Sequence, residues 1–341
     1  MLYYYVAEDK FQQADQWMLR GLKRGGNPPP RSSSDARGGG PPTILTIATA
    51  RSGSTAVGNI FNYHQDALYL FEPFKMLDLG DSNVQADIFG SCDGWKRRKT
   101  AVKLVWPKRH RPLWYVSAFD RLRKEGTHNV VEETSTRTKR DAASEEVKTK
   151  VLRLGLDMCE DETKVTAIKT IRFNEVDHDR ADRLAKDIAR RYPNVKIVLV
   201  LRHPGAVWAS QRGMGWRWHR DDRRWIRDIC DQTYEASKAI TNNFSQKRLL
   251  IVYYEDFVRR PHDAVEKILV FAGLDHGKDV LRRLVREVSV KNSHPVSDRT
   301  NRKHERDLLG AWKQSIPPDL RVMLRDECSV ACAFWGYTDC F

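Results

Sequence analysis

The sequence TILTIATARSGSTAVGNIF at residues 43–61 decides the fold of this chain. Residues 43–49 form a largely apolar run, which predicts a buried strand. The segment from Ala56 to about Tyr63 then has the spacing of a helix. Between the two, Gly53 allows a ligand close to the backbone, and the free N–H groups that begin the helix attract an anion. A strand, a polar turn and a helix in this order predict an α/β unit with an anion-binding turn.

Polar side chains crowd this turn. Arg51 adds positive charge, and the hydroxyls of Ser52, Ser54 and Thr55 add hydrogen-bond donors. The turn is not an ATP-binding loop, because GxxxxGK[ST] is absent and neither the loop lysine nor the magnesium-binding hydroxyl has a counterpart. An ordinary helix capped by serine or threonine is the alternative interpretation of the same residues.

A second strand end has the same design. The apolar run 195–201 predicts a strand buried on both faces, Arg202 follows it, and Pro204 suits the first position of a helix. Ser210 lies about two helical turns further on, close enough to share one phosphate with Arg202. Since ligands of open α/β sheets bind beyond the carboxyl ends of the strands, two such ends predict one ligand with two phosphate-like groups. A salt-bridge role for Arg202 is the alternative.

Two further charged residues follow predicted strands. The apolar run 67–71 ends at Glu72, which lies 21 residues after Arg51 in the sequence. Aromatic neighbours and a proline would partly desolvate this carboxylate and raise its pKa toward the range of a general base. A simple loop position is the alternative for Glu72. Lys169 lies near the end of the strand predicted at residues 165–171, which would direct it to the same edge.

The whole chain is organised around this sheet. Its 341 residues are 40% hydrophobic and 30% charged, which excludes a disordered or fibrous protein. Strands alternating with helices predict a parallel sheet with crossover helices in one domain, residues 43–338. Residues 1–42 are predicted to be a flexible tail rich in Gly, Pro, Ser and Arg. Residues 91–150 are predicted to be an irregular or helical surface insertion.

The net charge of +14 favours a polyanionic partner such as nucleic acid, an anionic membrane or a sulfated glycan. No nucleic acid is expected, because the chain lacks an aromatic RNP pattern, zinc-finger spacing and a basic zipper. Nothing in the sequence resembles a membrane span or a cleavable signal. The six cysteines form no CxxC pair, and the helical spacing of Cys328 and Cys332 leaves buried thiols and disulfides both open.

Five segments occur along the chain in the order TARSGSTAVGNIFNYHQDALYLFEPF, AIKTIR, VKIVLVLRHPGAVWASQR, LLIVYYEDFVRRP and HERDLLGAWKQSIPPDLRVMLRDECSVACAFWGY. Together they resemble the Golgi carbohydrate sulfotransferases that act on the 6-hydroxyl of galactose, N-acetylgalactosamine or N-acetylglucosamine. The resemblance runs from about Thr43 to Tyr337 and is weakest through residues 91–150.

The resemblance implies a P-loop-like three-layer α/β fold and 3′-phosphoadenosine-5′-phosphosulfate (PAPS) as sulfonate donor. Arg51 through Thr55 would hold the 5′-phosphosulfate, and Arg202 with Ser210 would hold the 3′-phosphate. Glu72 would be the general base, while Lys169 and Arg51 would stabilise the transferred sulfonate. No metal is expected, because a sulfonate carries less charge than a phosphoryl group.

The resemblance also implies a glycan acceptor, and the basic charge favours an acidic polysaccharide such as chondroitin or keratan. The insertion 91–150, with basic clusters at 96–99 and 108–111, is the candidate acceptor surface. A Golgi location is implied, and a membrane partner is expected only if an anchor is missing from this sequence. A non-catalytic basic protein that binds a polyanion, either glycan or RNA, is the alternative function.

One departure from the family concerns the second strand end. The family commonly has RDPRA there, whereas this chain has His203 and Gly205 in place of the aspartate and the second arginine. Two charged groups near the predicted 3′-phosphate are therefore missing, so a changed affinity for the donor is expected.

Overall fold

The structure is a computed structural model. It describes residues 42–72, 79, 80, 82, 85, 89, 164–171, 173, 178–214, 221–288, 309–338 and 340. These residues lie in one compact unit, Gly39–Phe341. The predicted tail, except for Pro42, and the predicted insertion at 91–150 lie outside the described residues.

Five strands and nine helices are formed by the described residues. The strands are β1 (Thr43–Ala48), β2 (Ala67–Phe71), β3 (Val165–Thr170), β4 (Val195–Leu201) and β5 (Leu249–Tyr253). The helices are α1 (Ser54–Asn62), α2 (His178–Arg191), α3 (Pro204–Gly213), α4 (Asp222–Asn243), α5 (Tyr254–Arg259), α6 (Pro261–Ala272), α7 (Lys278–Val288), α8 (Ala311–Ser315) and α9 (Pro318–Phe334).

The strands form one parallel sheet in the order β2-β3-β1-β4-β5. β1 lies at its centre, and every residue of β1 and β3 is buried. Such burial on both faces explains why β1 is largely apolar and does not alternate between apolar and polar residues. β3 is equally buried although it contains Thr166, Lys169 and Thr170. The predicted parallel sheet is confirmed.

Helices cover both faces of the sheet. Alternate side chains of β1 point to opposite faces, so Leu45 and Ile47 pack into one core with α2, α3, α4 and α9. Ile44 and Ala48 pack on the other face with α1, α6 and α7. The resulting three layers confirm the predicted α/β architecture.

All four cysteines of the described residues form disulfides. Cys230 of α4 is bonded to Cys328 of α9, and Cys332 is bonded to Cys340 beyond the end of α9. Of the two possibilities left open for Cys328 and Cys332, buried thiols or disulfides, both residues therefore form disulfides, each with a different partner. Within the same described residues, no helix is both long and apolar enough to span a membrane.

Candidate active site

The four charged residues predicted to bind or react lie at one edge of the sheet. Glu72 directly follows β2, Lys169 is the penultimate residue of β3, and Arg202 directly follows β4. Arg51 lies three residues beyond the end of β1. Because the strands are parallel, their carboxyl ends meet at this edge. β2 and β3 lie on one side of β1, and β4 and β5 lie on the other, so the strand order reverses at β1. Open α/β sheets bind ligands at such a reversal.

The turn after β1 presents an uncapped helix. Gly53 precedes α1 with φ of 89°, and no side chain of the described residues caps this helix. The first N–H groups of α1 are therefore available to an anion. A Cβ at Gly53 would lie 2.1 Å from Cδ2 of Tyr254, so both the conformation and the packing require glycine.

The hydroxyl groups of this turn differ in their roles. Both the backbone N–H and the hydroxyl of Ser52 donate to the carbonyl of Thr49, so Ser52 shapes the turn and does not offer that proton to a ligand. Ser54 is buried at the start of α1, whereas Thr55 is exposed.

Two arginines join the two predicted phosphate positions. Nε of Arg51 donates to Oγ of Ser210 at 3.2 Å, and Nη1 of Arg202 donates to the carbonyl of Arg51 at 2.9 Å. The guanidinium of Arg202 also lies 4.6 Å from the ring centroid of Tyr254. The two strand ends are thus linked into one positively charged site, with Arg202 buried.

Glu72 and Lys169 form a buried ion pair. Nζ of Lys169 donates to Oε1 of Glu72, and the Glu72 N–H donates to the Lys169 carbonyl at 2.9 Å. The side chains are only 11% and 4% exposed, respectively. Burial raises the pKa of the nearby Tyr69, and the charge of Glu72 raises it further, so the phenol stays protonated. Among the described residues, the Glu72 carboxylate thus has the ammonium group of Lys169 as a direct partner.

Arg51 and Glu72 also share an unusual backbone conformation. Their φ angles are 75° and 51°, and they are the two non-glycine residues with positive φ in the described part of the chain. Such conformations cost about 1–3 kcal/mol each and cluster at functional sites. Here they coincide with two residues that the sequence pattern had already indicated.

Other residues hold the site in place and were not predicted. Nε2 of Gln211 donates to the carbonyl of Ala50 at 3.0 Å, and Oε1 of Gln211 accepts from Nε1 of Trp225 at 2.8 Å. The hydroxyls of Thr49 and Thr233 lie 2.6 Å apart. The contacts of Gln211 with Ala50 and of Thr49 with Thr233 join residues 161 and 184 positions apart, so the local sequence pattern contains no signal for them.

The structure gives a physical reason for His203 and Gly205. Nδ1 of His203 accepts from the N–H of Gly205 at 3.2 Å and caps α3, and the His203 ring lies 4.5 Å from that of Trp312. A Cβ at position 205 would be 2.5 Å from Cζ3 of Trp312 and 3.1 Å from Cδ1 of Leu324. An arginine cannot occupy this position without displacing Trp312.

Other predicted features are not described by the structure. The basic clusters 96–99 and 108–111 lie outside the described residues. In the part of the chain that is described, no group of three or more His, Cys, Asp or Glu side chains is placed to hold a metal ion.

Comparisons with known proteins point to one class. The family model described as "Sulfotransferase family" matches residues 176–278, which include β4 and Arg202. Carbohydrate sulfotransferase 1 of Rattus norvegicus is 24% identical, with 86% of this chain and 79% of the relative covered. Carbohydrate sulfotransferase 3 of Tetronarce californica is 22% identical, with 86% and 72% covered.

A solved structure supports the fold. The sulfotransferase domain from the curacin biosynthetic pathway superposes with a TM-score of 0.50 at 14% identity, covering 87% of this chain and 98% of that domain. The family model and the relatives confirm the similarity to sulfotransferases predicted from the motifs, and the solved structure supports the fold. The sequence comparisons favour a sulfotransferase over the non-catalytic polyanion-binding protein.

Proposed function

We propose that this enzyme transfers the sulfonate of PAPS to a sugar hydroxyl of a glycan. The observation that carries the proposal is the meeting, at one sheet edge, of two linked arginines, an uncapped helix and a buried carboxylate–lysine pair. A donor with two anionic ends and an acceptor hydroxyl that must lose a proton need this combination.

For the donor, we assign the 5′-phosphosulfate to the turn Arg51–Thr55 and the 3′-phosphate to Arg202 and Ser210. The N–H groups at the start of α1 provide donors, and Arg51 provides charge. The contact between Arg51 and Ser210 supports a single ligand that reaches both positions. Ser52 contributes by holding the turn through Thr49.

For the chemistry, PAPS supplies the electrophilic sulfonate when it is bound. Glu72 accepts the proton of the sugar hydroxyl as the new O–S bond forms. Arg51, Lys169 and the helix start stabilise the charge that develops on the sulfonate oxygens and on the bridging oxygen of the departing adenosine 3′,5′-bisphosphate. The pairing of Lys169 with Glu72 places the cation and the base side by side. None of these steps needs a metal ion.

The acceptor is assigned from the relatives. The matched proteins are carbohydrate sulfotransferases 1, 3 and 4, and this supports a glycan acceptor. We extend this to the 6-hydroxyl of galactose, N-acetylgalactosamine or N-acetylglucosamine. The net charge of +14 supports an acidic polysaccharide such as chondroitin or keratan, and the resemblance supports action in the Golgi.

The test is transfer of radiolabelled sulfate from PAPS by the purified chain in the presence of EDTA. The acceptors are desulfated chondroitin, keratan, heparosan and short oligosaccharides ending in galactose or N-acetylglucosamine. We expect incorporation into at least one acceptor and binding of adenosine 3′,5′-bisphosphate. Failure to bind the bisphosphate would overturn the assignment of Arg51 and Arg202, and activity lost to EDTA would overturn the metal-free mechanism.

A further inference from the structure

The segment after α9 is fastened beside the donor edge of the sheet. The disulfide between Cys332 and Cys340 closes a short loop that contains Trp335 and Tyr337. The hydroxyl of Tyr253, the last residue of β5, donates to the carbonyl of Trp335 at 2.9 Å. This C-terminal loop, of which residues 335–338 and 340 are described, therefore lies against the carboxyl end of β5, next to β4 and Arg202.

A second hydrogen bond from this loop reaches toward the predicted 3′-phosphate position. The hydroxyl of Tyr337 donates to Oε2 of Glu255 at 3.0 Å, and Oε1 of Glu255 accepts from the backbone N–H of His203 at 3.0 Å. One carboxylate thus bridges the C-terminal loop and the residue that follows Arg202. The Tyr337 ring also packs edge-on against His203, with centroids 5.3 Å apart.

The carboxylate of Glu255 lies close to Arg202, the cation that we assign to the 3′-phosphate. Glu255 accepts from the N–H of His203, the residue after Arg202, and the Arg202 guanidinium lies 4.6 Å from the ring centroid of Tyr254, the residue before Glu255. Burial raises the pKa of Tyr337, and the charge of Glu255 raises it further, so the hydroxyl remains a donor. A carboxylate released from this hydrogen bond would compete with a phosphate for the guanidinium of Arg202.

We propose that Tyr337 is a positioning residue for the donor site: it holds the carboxylate of Glu255 on the backbone of His203 and so keeps it from pairing with Arg202. This inference rests on the proposed function, because it assumes that Arg202 binds the 3′-phosphate. It assigns a part in donor binding to a loop more than 130 residues away from Arg202 in the sequence.

The test compares three variants with the unsubstituted chain, using calorimetric binding of adenosine 3′,5′-bisphosphate. Tyr337→Phe removes only the hydroxyl, and we expect its Kd to rise about 5- to 10-fold, the size of one ordinary net hydrogen bond. Tyr253→Phe is the matched control, since it removes the other tyrosine hydrogen bond of the same loop without touching Glu255. The Kd of Tyr253→Phe should stay within about twofold of that of the unsubstituted chain, even if its melting temperature falls as much as that of Tyr337→Phe.

The double variant Tyr337→Phe with Glu255→Gln separates competition from simple loosening. Removing the negative charge of Glu255 should restore the Kd to within about twofold of that of the unsubstituted chain. The double variant should be no more stable than Tyr337→Phe alone. In sulfate transfer, Tyr337→Phe should raise the KM for PAPS and leave kcat nearly unchanged.

Equal weakening in both tyrosine variants, an unchanged Kd in Tyr337→Phe, or no recovery in the double variant would overturn the inference while leaving the proposed function intact. Absence of bisphosphate binding by the unsubstituted chain would instead overturn the proposed function and the inference with it.

Discussion

Arg51 and Glu72 show at the residue scale how the candidate site differs from ordinary turns. Positive φ usually belongs to glycine, yet a glycine at either position would lack the charged side chain. The surrounding contacts hold both residues in place: Arg202 binds the Arg51 carbonyl, and Lys169 binds Glu72 through both its backbone and its side chain. The backbone is therefore strained where the proposed chemistry needs fixed charges.

Gly205 provides a test of packing at the same scale. We expect Gly205→Ala to lower the free energy of unfolding by about 1–3 kcal/mol, because the new methyl group would collide with Trp312. This loss outweighs the gain of about 1 kcal/mol that alanine normally brings to a helix. Urea unfolding followed by tryptophan fluorescence measures the change.

Gly213, at the other end of α3, is the matched control. Among the described residues, a Cβ there meets no atom within 4 Å, so Gly213→Ala should be neutral or stabilising. If Gly205→Ala were as stable as Gly213→Ala, the packing of Trp312 would not explain why this chain departs from the family at position 205.

At the scale of elements, α4 and α9 are joined by a disulfide and by a charged clamp. Oε1 of Glu327 on α9 accepts from Arg223 at 2.6 Å, and Oε2 accepts from Arg227 at 2.7 Å. The hydrogen bonds from Arg227 and Arg223 lower the pKa of Glu327 to about 2 from its usual 4.5. The clamp thus couples the two longest helices among the described residues.

This clamp predicts a pH-dependent contribution to stability. A carboxyl group with a lowered pKa in the folded state stabilises above about pH 4.5, and this contribution disappears as the pH falls toward 2. We expect Glu327→Gln to cost about 1 kcal/mol at pH 7, because solvent screens a pair whose arginines are half exposed. Unfolding by urea at several pH values between 7 and 2.5 measures the difference from the unsubstituted chain.

Glu266, which is exposed on α6, provides the control for charge alone. Glu266→Gln should leave stability unchanged over the same pH range. A cost for Glu327→Gln that stayed constant from pH 7 to pH 2.5 would contradict the assignment of the effect to the ionised carboxylate.

At the scale of the whole molecule, the sequence predicted the sheet and the residues at its edge for a clear physical reason. A parallel sheet buries its strands on both faces, so β1 and β4 are largely apolar runs that stand out in the sequence. Parallel strands also bring their carboxyl ends together. Arg51, Glu72, Lys169 and Arg202 could therefore be placed at one edge without knowledge of the strand order.

The pairings within that edge could not be predicted in the same way. Glu72 and Lys169 are 97 residues apart and meet because β2 is the neighbour of β3. The local pattern of a strand contains no information about which strand lies beside it. The same reason applies to the pairing of Cys328 with Cys230, 98 residues away, and to the contact between Tyr337 and Glu255, since both depend on how distant elements pack.

We propose Glu72 as the base of a site whose donor-binding half lies at the ends of β1 and β4. The most direct measurement is sulfate transfer by Glu72→Gln, together with its affinity for adenosine 3′,5′-bisphosphate. Glu327→Gln serves as the control, since it is also a Glu→Gln change at a residue that pairs with cations, but it lies between α4 and α9.

We expect Glu72→Gln to lower turnover by about 100-fold or more, while the Kd of the bisphosphate changes by less than about twofold. The control should keep its turnover. Unchanged turnover in Glu72→Gln, or a loss that the control variant shares, would contradict the assignment of Glu72 as the base.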